Sequence, residues 1–304
     1  MNFGVCIQNY GETASIDGLR TVAIEAERMG YDSVWTTDHI LMAPQSGTPY
    51  ERIFESITSL AYLASITSTV KLGISSLITA MRNPAVVAKQ LASIDHFSGG
   101  RVILATSVGW NENEFQHLGS NFHDRGRRLD ESIKLIRALW NSPSDAKFEG
   151  KEIPHKFTNP KFEPHPIQRK LTIWIAGNSK AAMRRAATLG DAWHPNVTPL
   201  DVFGKLVSEF RSIPGAKDKD ICVRIGLNPK APKSEYVFGH ARERRLLLAG
   251  SMVENKNTVN ELEKLGVTYM LLVPSPDGNV PIADQVVSLR AISEAFIRKS
   301  GYIV

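Results

Sequence analysis

The sequence predicts an α/β protein in which eight parallel strands and eight helices alternate and close into a (β/α)8 barrel, the TIM-barrel architecture. Short apolar segments alternate with longer amphipathic segments along the 304 residues, and most connections between them are short. Such strict alternation implies right-handed crossovers and a parallel sheet. Because eight repeats fill this length, we expect residues 1–304 to form a single barrel domain.

The first half of the chain shows the alternation most clearly. Apolar runs bounded by turn residues predict strands, and apolar residues that recur every three or four positions predict helices. The predicted elements are strand Phe3–Ile7, helix Asp17–Met29, strand Ser33–Trp35, helix Ile53–Ile66, strand Lys71–Leu77, helix Pro84–Phe97 and strand Val102–Thr106. Gly30 is expected to end the first helix as a C-cap, and Pro84 suits the first turn of the third helix.

The second half repeats the alternation with two interruptions. Its predicted elements are helix Arg125–Trp140, strand Leu171–Ala176, helix Lys180–Leu189, strand Asp191–Trp193, helix Leu200–Ile213, strand Ile221–Gly226, helix Val259–Leu265, strand Thr268–Val273 and helix Ile282–Arg298. The proline-rich segment Ser142–Arg169 is predicted to be a β-hairpin, inserted after the fourth helix and lying over the barrel mouth. The segment Asn228–His240 is predicted to be a lid or to be partly disordered.

Composition limits the possible partners. With 42% hydrophobic and 22% charged residues, the chain is large enough to bury a core of its own. The formal charge of +5 comes from Lys and Arg spread over every predicted helix, which argues against nucleic acid binding and favours an anionic small-molecule cofactor. No metal-ligand spacing is present. No stretch approaches the roughly 20 apolar residues of a membrane span, and no leader precedes the first strand, so we expect a cytoplasmic protein.

Four predicted strands end in polar or glycine-containing segments, and these segments define the candidate site. They are residues 36–39 (Thr-Thr-Asp-His), 75–76 (Ser-Ser), 107–110 (Ser-Val-Gly-Trp) and 176–179 (Ala-Gly-Asn-Ser). In a barrel of this type the C-terminal ends of all strands open onto one face, where active sites lie. We therefore expect these four segments to meet around one site.

The pair Asp38-His39 is a candidate acid–base group. An imidazole can move a proton near neutral pH, and a neighbouring carboxylate can set its tautomer. The alternative is a capping Asp beside a structural His, because adjacent side chains on a strand point to opposite sides. Both interpretations remain open at this stage.

Two further segments offer surfaces for a flat ring. Ser75 and Ser76 are small enough to let a ring approach the backbone closely, or they only satisfy barrel packing. In the loop 107–115, Ser107, Gly109, Trp110 and Glu114 combine small residues, an aromatic cover and a carboxylate. The alternative is that Trp110 plugs the barrel end and Glu114 caps a helix or forms an ion pair.

A phosphate site is predicted where strand Leu171–Ala176 leads into the next helix. Gly177, Asn178 and Ser179 precede that helix, and free N–H groups together with the helix dipole bind phosphate in this geometry. Ser179 can equally be an ordinary N-cap. The sequence contains no Gly-x-Gly-x-x-Gly after the first strand and no phosphate-loop motif, which argues against nicotinamide binding of the Rossmann type and against nucleotide hydrolysis.

Several strings resemble the luciferase-like monooxygenase family. They are Trp35–His39, Arg82–Pro84, Ile94–Arg101, Val108–Phe115, Arg125–Glu131, Arg137–Trp140, Trp174–Gly177 and Gly190–Trp193. The resemblance extends over roughly Phe3–Pro195 and is closest to the branch that uses the deazaflavin coenzyme F420. The chain departs from many relatives at Thr79–Met81, where they carry an aliphatic-Pro pair, and no site after Pro195 is assigned.

The resemblance implies a barrel that holds an isoalloxazine-type ring at its C-terminal mouth. A cis peptide bond that is not at proline would follow the third strand, at Ser75-Ser76, and support the ring. His39 would be the active-site base and Asp38 its orienting partner or a ring contact. The residues implied to lie beside the ring and the substrate are Ser107, Gly109 and Glu114. The residues implied to hold the cofactor phosphate are Gly177, Asn178 and Ser179. A homodimer is also implied.

Together these features predict an oxidoreductase that transfers a hydride between coenzyme F420 and a small organic substrate. Two alternatives remain open: an FMN-dependent monooxygenase supplied by a separate reductase, and a flavin-binding barrel without turnover. The identity of the substrate does not follow from the sequence.

Overall fold

Eight parallel strands form a closed barrel in the computed structural model, which describes residues 1–43, 46, 48–141, 147–239 and 242–297. The described residues form twelve strands, eight of which belong to the barrel. They are β1 (Asn2–Cys6), β2 (Ser33–Thr36), β3 (Lys71–Leu77), β4 (Val102–Thr106), β5 (Lys147–Glu149), β6 (Lys156–Thr158), β7 (Thr172–Ala176), β8 (Ala192–His194), β9 (Asp220–Leu227), β10 (Glu235–Phe238), β11 (Glu243–Leu248) and β12 (Tyr269–Val273). The barrel order is β1-β2-β3-β4-β7-β8-β9-β12, and β12 pairs with β1 to close it. The predicted (β/α)8 barrel is therefore confirmed.

Helices surround the barrel. They are α1 (Ile16–Arg28), α2 (Ser56–Ile66), α3 (Pro84–Ser98), α4 (Glu112–His117), α5 (Arg125–Asn141), α6 (Lys180–Leu189), α7 (Leu200–Ser212), α8 (Met252–Lys264) and α9 (Ile282–Ile292). Local signals explain their ends: Asn83 caps α3 through its side chain, and Gly99 ends the same helix in the left-handed conformation. Among the described residues, no helix is long and apolar enough to span a membrane.

The barrel interior is filled below the site by large side chains. Trp35 and Trp174 stack inside it with ring centroids 4.7 Å apart, in a cluster that also contains the buried free thiols Cys6 and Cys222. Gly73 leaves room for this stack, since a Cβ there would lie 2.2 Å from the Trp35 ring. Because side chains alternate along a strand, the next inward position after Trp35 is Thr37, at the open end. The packed interior thus supports the floor of the site.

Several element boundaries differ from the sequence prediction. Helix α4 was not predicted, and α8 begins seven residues before the predicted Val259 because Ser251 and Glu254 form a capping box. Helix α2 begins at Ser56 rather than Ile53, since the side chain of Glu55 caps it. The last predicted helix passes into a π-helical turn after α9, and its predicted final residue, Arg298, lies outside the described residues.

The inserted hairpin is present and packs against α5. Strands β5 and β6 pair antiparallel, and the Glu131 carboxylate on α5 accepts three backbone N–H groups from the turn between them, those of Lys151, Glu152 and Ile153. None of the described residues of this insertion lines the cavity at the strand ends. The hairpin is anchored to α5 through Glu131, and its predicted position over the mouth stays a prediction. The first residues of the predicted segment, 142–146, lie outside the described residues.

The described residues of the second irregular segment, 228–239, contain a strand, while its predicted roles as a lid or a partly disordered segment stay predictions. Strand β10 pairs antiparallel with β11, and the end of β11 pairs in parallel with β9. Phe238 and Gly239 at the end of β10 line the cavity. The last residue of the predicted lid, His240, lies outside the described residues.

Candidate active site

A cavity of about 290 Å³ opens at the C-terminal ends of the barrel strands. Nine of the predicted site residues line it: Asp38, His39, Ser75, Ser76, Ser107, Gly109, Trp110, Gly177 and Asn178. Glu114 lies directly behind His39, and Ser179 is exposed one residue beyond the lining. The four strand-end segments therefore converge as predicted.

His39 and Glu114 form a buried pair. Their side chains are 4% and 1% exposed, and His39 Nδ1 lies 2.7 Å from Glu114 Oε2. Burial by itself would raise the pKa of Glu114, but hydrogen bonds from His39 and from the backbone N–H groups of Ile40 and Leu41 hold it below its usual value. The carboxylate can only accept, so Nδ1 carries the proton and Nε2 is the free ring nitrogen. Among the described residues Nε2 has no hydrogen-bond partner, which leaves it available to a ligand.

The loop before α4 explains how Glu114 reaches His39. Gly109 turns the chain with a φ of +78°, and a Cβ there would lie 2.7 Å from Ile78. Asn111 then caps α4 and accepts a hydrogen bond from the Glu114 backbone N–H at 3.3 Å. The cap holds the first turn of α4 against the end of β2, with Glu114 pointing inward.

Asp38 does not orient His39. Its carboxylate accepts hydrogen bonds from Ser56 Oγ at 2.6 Å, from the Ile78 backbone N–H at 2.9 Å and from Arg82 Nη2 at 2.5 Å. These contacts join the end of β2 to α2 and to the segment after β3. The orienting role belongs to Glu114 instead, while the other implied role of Asp38, contact with the ring, remains a prediction.

Ser75 is oriented by a buried histidine that the sequence analysis did not identify. The Ser75-Ser76 peptide bond is cis, as the resemblance implies. His194 Nδ1 hydrogen-bonds the Cys222 carbonyl, so Nδ1 is the donor and Nε2, 2.8 Å from Ser75 Oγ, is the acceptor. Burial lowers the pKa of His194 to about 4, which keeps the ring neutral. Ser75 therefore donates to His194, and its oxygen lone pairs are left for a ligand.

Aromatic rings form one side of the cavity. Tyr50 stacks on His39 with centroids 4.8 Å apart, and Trp110 meets the same ring edge-on at 5.7 Å. Phe238 packs against Tyr50 from β10 at 5.8 Å. Trp110 is 42% exposed, so it lies at the rim and does not plug the barrel.

The segment after β7 is held rigidly. Asn178 Nδ2 donates to the Asn196 carbonyl at 2.9 Å, and the Asn196 backbone N–H donates to Asn178 Oδ1 at 3.0 Å. Gly177 has a φ of +124° and exposes bare backbone to the cavity. Ser179 is the N-cap of α6 and accepts from the Ala182 backbone N–H at 3.2 Å. Its binding of a cofactor phosphate stays a prediction.

The sequence analysis assigned none of the six cavity residues after Pro195, which are Asn196, Arg224, Phe238, Gly239, Glu243 and Arg245. It also missed His194, because the predicted strand stopped at Trp193, one residue early. The signals were present in part. His194 is the last residue of a strand, and His39 likewise lies three residues after the end of a strand. Arg224 is a charged residue inside the apolar run Ile221–Gly226.

The lining suits a flat redox ring with an anionic tail. Small residues on β3, after β4 and at the end of β7 leave a slot bounded by the aromatic side described above, and α6, ten residues long, begins beside it. The first turn of any helix leaves backbone N–H groups without intrahelical partners, and these groups bind phosphate. Within the described part of the chain, no group of three or more His, Cys, Asp or Glu side chains is arranged to hold a metal.

The protein therefore belongs to the class of closed α/β barrels that carry a polar cavity with one aromatic side at their strand ends. The sequence matches the luciferase-like monooxygenase family over residues 1–229, and the chain belongs to that family.

Named relatives include enzymes with two different cofactors. The FMNH(2)-dependent dimethylsulfone monooxygenase of Pseudomonas putida is 30% identical over 217 residues, which cover 70% of this chain and 57% of that protein. The F420-dependent glucose-6-phosphate dehydrogenase of Amycolatopsis mediterranei is 34% identical over 177 residues, which cover 56% of this chain and 50% of that protein. The chain thus spans about half the length of the curated relatives it matches.

Solved structures share the fold over nearly the whole chain. The monooxygenase RslO1 from Streptomyces bottropensis has a TM-score of 0.79 at 18% identity, covering 98% of this chain and 99% of that one. The coenzyme F420-dependent tetrahydromethanopterin reductase from Methanopyrus kandleri has a TM-score of 0.74 at 16% identity, covering 97% and 98%, respectively. At these identities the likeness shows the barrel alone.

Proposed function

We propose that this protein is an oxidoreductase that transfers a hydride between coenzyme F420 and a small organic substrate. The observation that carries the proposal is the buried His39–Glu114 pair at a cavity wall, since it leaves His39 Nε2 facing the site as a proton acceptor or donor. When bound, the deazaflavin supplies the hydride or accepts it. The family includes F420-dependent and FMN-dependent enzymes, so either cofactor is consistent with membership.

The chain's own residues would divide the work. His39 moves the proton that accompanies hydride transfer, and Glu114 keeps its Nε2 free by holding the proton on Nδ1. Ser75, held by His194, offers an acceptor oxygen to the ring edge. The first turn of α6, after Gly177, would bind the phosphate of the cofactor tail.

The rings around His39 control water. Tyr50 stacks on His39, and Trp110 covers its edge at the rim. A site closed by such rings keeps bulk water from the reacting atoms and strengthens the electrostatic interactions inside. Substrate would therefore enter past Trp110, the most exposed of these rings.

A second candidate is an FMN-dependent monooxygenase that receives reduced flavin from a separate reductase. The alignment with the dimethylsulfone monooxygenase favours it, because it covers 70% of this chain against 56% for the F420-dependent dehydrogenase. A flavin-binding barrel without turnover is the candidate of a different class.

A fluorescence titration with coenzyme F420 and FMN distinguishes the candidates. Binding of F420 with a micromolar dissociation constant and no binding of FMN supports our proposal, and the reverse result discards it. A non-catalytic barrel would bind cofactor, but no reductant or substrate would change the cofactor's redox state. We also propose a homodimer, as the family resemblance implies, and light scattering of the purified protein measures its mass directly.

A further inference from the structure

Arg224 places a positive charge inside the barrel, in the wall of the cavity. It lies in the middle of β9, two residues after Cys222, whose side chain belongs to the packed interior. Strand alternation therefore turns Arg224 inward as well. The backbone of the same residue bridges to Asn196 at the end of β8, so the guanidinium lies among the strand ends that form the site.

The hydrogen bonds of this guanidinium are incomplete. A guanidinium has five N–H donors. Arg224 Nη2 donates to Thr37 Oγ1 at 3.2 Å and approaches Cys6 Sγ at 3.8 Å. Its Nε is buried and has no partner in the part of the chain that the structure describes. Several donors are thus left for a molecule that enters the cavity.

The other arginines at the site are neutralised by carboxylates. Arg82 contacts Asp38 and Glu55, and Arg245 contacts Glu243 at 2.6 Å. No carboxylate among the described residues lies within 4.0 Å of Arg224. The cavity wall therefore carries one unpaired positive charge from the described residues.

Two of the phenols around Arg224, those of Tyr10 and Tyr236, do not supply the missing negative charge. Burial raises the pKa of Tyr10 and of Tyr236, so both stay neutral at ordinary pH. The buried Nε of Arg224 has no partner among the described residues, and leaving a buried donor of a charged group unsatisfied is costly. A ligand that accepts from the guanidinium would remove this cost.

We propose that Arg224 binds a compact anionic group of the substrate, a carboxylate or a sulfonate, so that the substrate class is small organic anions. The planar fork of a guanidinium matches two oxygens of either group. Thr37, which accepts from Arg224, is two residues before His39 along the same strand end. The anionic end of the substrate would thus be held in the cavity that contains the proton-transferring group. This proposal deepens the proposed function and rests on it for the reaction itself.

Small anions test the proposal on the cofactor-free protein. Calorimetric titration at constant ionic strength would compare acetate and methanesulfonate with their neutral counterparts acetamide and dimethyl sulfone. We expect the wild type to bind the anions and Arg224→Gln to bind them roughly 10- to 100-fold more weakly, since a hydrogen bond to a charged group is lost. The double variant Glu243→Gln/Arg245→Gln is the matched control, because it removes an ion pair from the same cavity without changing its net charge, and its anion affinity should stay within about threefold of wild type.

Three results would overturn the proposal. They are no anion binding by the wild type at 100 mM ligand, equal affinity for the neutral counterparts, and unchanged anion affinity in Arg224→Gln. If Arg224→Gln does not fold, Arg224→Lys keeps the charge but loses the planar fork. Its anion affinity should then fall below that of the wild type, and an unchanged value also contradicts the proposal.

The cofactor ring is a second possible source of negative charge, and a separate titration distinguishes it. Oxidised and reduced cofactor are titrated into wild type and Arg224→Gln. If the variant loses affinity only for the reduced cofactor and binds the small anions normally, Arg224 serves the ring and our substrate assignment is wrong. Failure of the wild type to bind any cofactor would contradict the proposed function and leave the anion result standing on its own.

Discussion

Glu114→Gln tests the proposed proton relay most sharply, because it changes the charge and hardly changes the shape. Besides the Leu41 backbone N–H, the Glu114 carboxylate accepts from two donors, one on each oxygen: Ile40 N at 2.6 Å and His39 Nδ1 at 2.7 Å. A glutamine has only one oxygen for these two donors. If the oxygen stays on Ile40, the amide N–H₂ faces Nδ1, which must then become an acceptor, and the proton moves to Nε2. If the oxygen faces His39, the buried Ile40 N–H loses its partner.

Both arrangements have a measurable cost. The first removes the free Nε2, and general acid–base catalysis contributes about 10²- to 10⁴-fold to a rate. The second leaves a buried donor unsatisfied, at about 1–3 kcal/mol. We therefore expect the hydride-transfer rate to fall at least about 100-fold in the first arrangement, and the free energy of unfolding to fall by about 1–3 kcal/mol in the second. Cofactor affinity should hardly change, because no cofactor contact is assigned to this carboxylate in our proposal.

The assay is single-turnover absorbance of the bound cofactor, with urea unfolding measured on the same preparations. Glu112→Gln is the matched control, since it lies on the same short helix α4, is 48% exposed and contacts only His123 at 3.6 Å among the ion pairs of the described residues. Its rate should be unchanged, and its stability should be within about 0.5 kcal/mol of wild type. A Glu114→Gln variant that is both as active and as stable as the wild type, beside an inactive His39→Ala, would show that Glu114 does not orient the base. An active His39→Ala would remove the pair from the chemistry.

Three further predictions concern stability and cofactor binding. Burial lowers the pKa of His194 from 6.5 to about 4. The unfolded state therefore binds more protons between these pH values, and the free energy of unfolding falls as the pH decreases through this window. In His194→Gln, the loss of free energy of unfolding across this window, measured in urea, should be smaller by about 3 kcal/mol. Gly177→Ala places a Cβ 3.1 Å from Ala182 at a φ of +124°, and we expect about 1–3 kcal/mol of destabilisation by thermal unfolding together with weaker cofactor binding. Asp38→Asn removes the charge that Arg82 contacts in a buried setting and should destabilise the protein by about 1.5–3 kcal/mol in urea; a change below 0.5 kcal/mol would show that this ion pair does not stabilise the site.

The sequence predicted the barrel because its signals are local and repeated. Each apolar strand and each amphipathic helix can be read from a short window, and alternation alone implies the parallel sheet. Element ends depended on side chains several residues away. The predicted helix at α8 began too late because the capping box of Ser251 and Glu254 was not recognised in the sequence. The predicted strand at β8 ended one residue before His194.

The site was predicted where side chains follow strand ends and missed where the contacts are tertiary. The meeting of Asp38, His39 and Trp110 in one cavity follows from barrel geometry. The partner of His39 did not follow, because Glu114 is 75 residues away and reaches it only through the capped turn of α4. Strand β10 was missed for a similar reason: among the described strands it pairs only with β11, which was not predicted either.

The reciprocal amide bonds between Asn178 and Asn196 have a consequence for ligand capture. Both ends of one side chain are engaged, so neither loop can swing aside without breaking two hydrogen bonds at once. A ligand therefore meets a preformed cavity wall, and little chain entropy is lost when it binds. We expect this wall to keep its conformation when a ligand binds. Conformational adjustment should be confined to the aromatic side of the cavity.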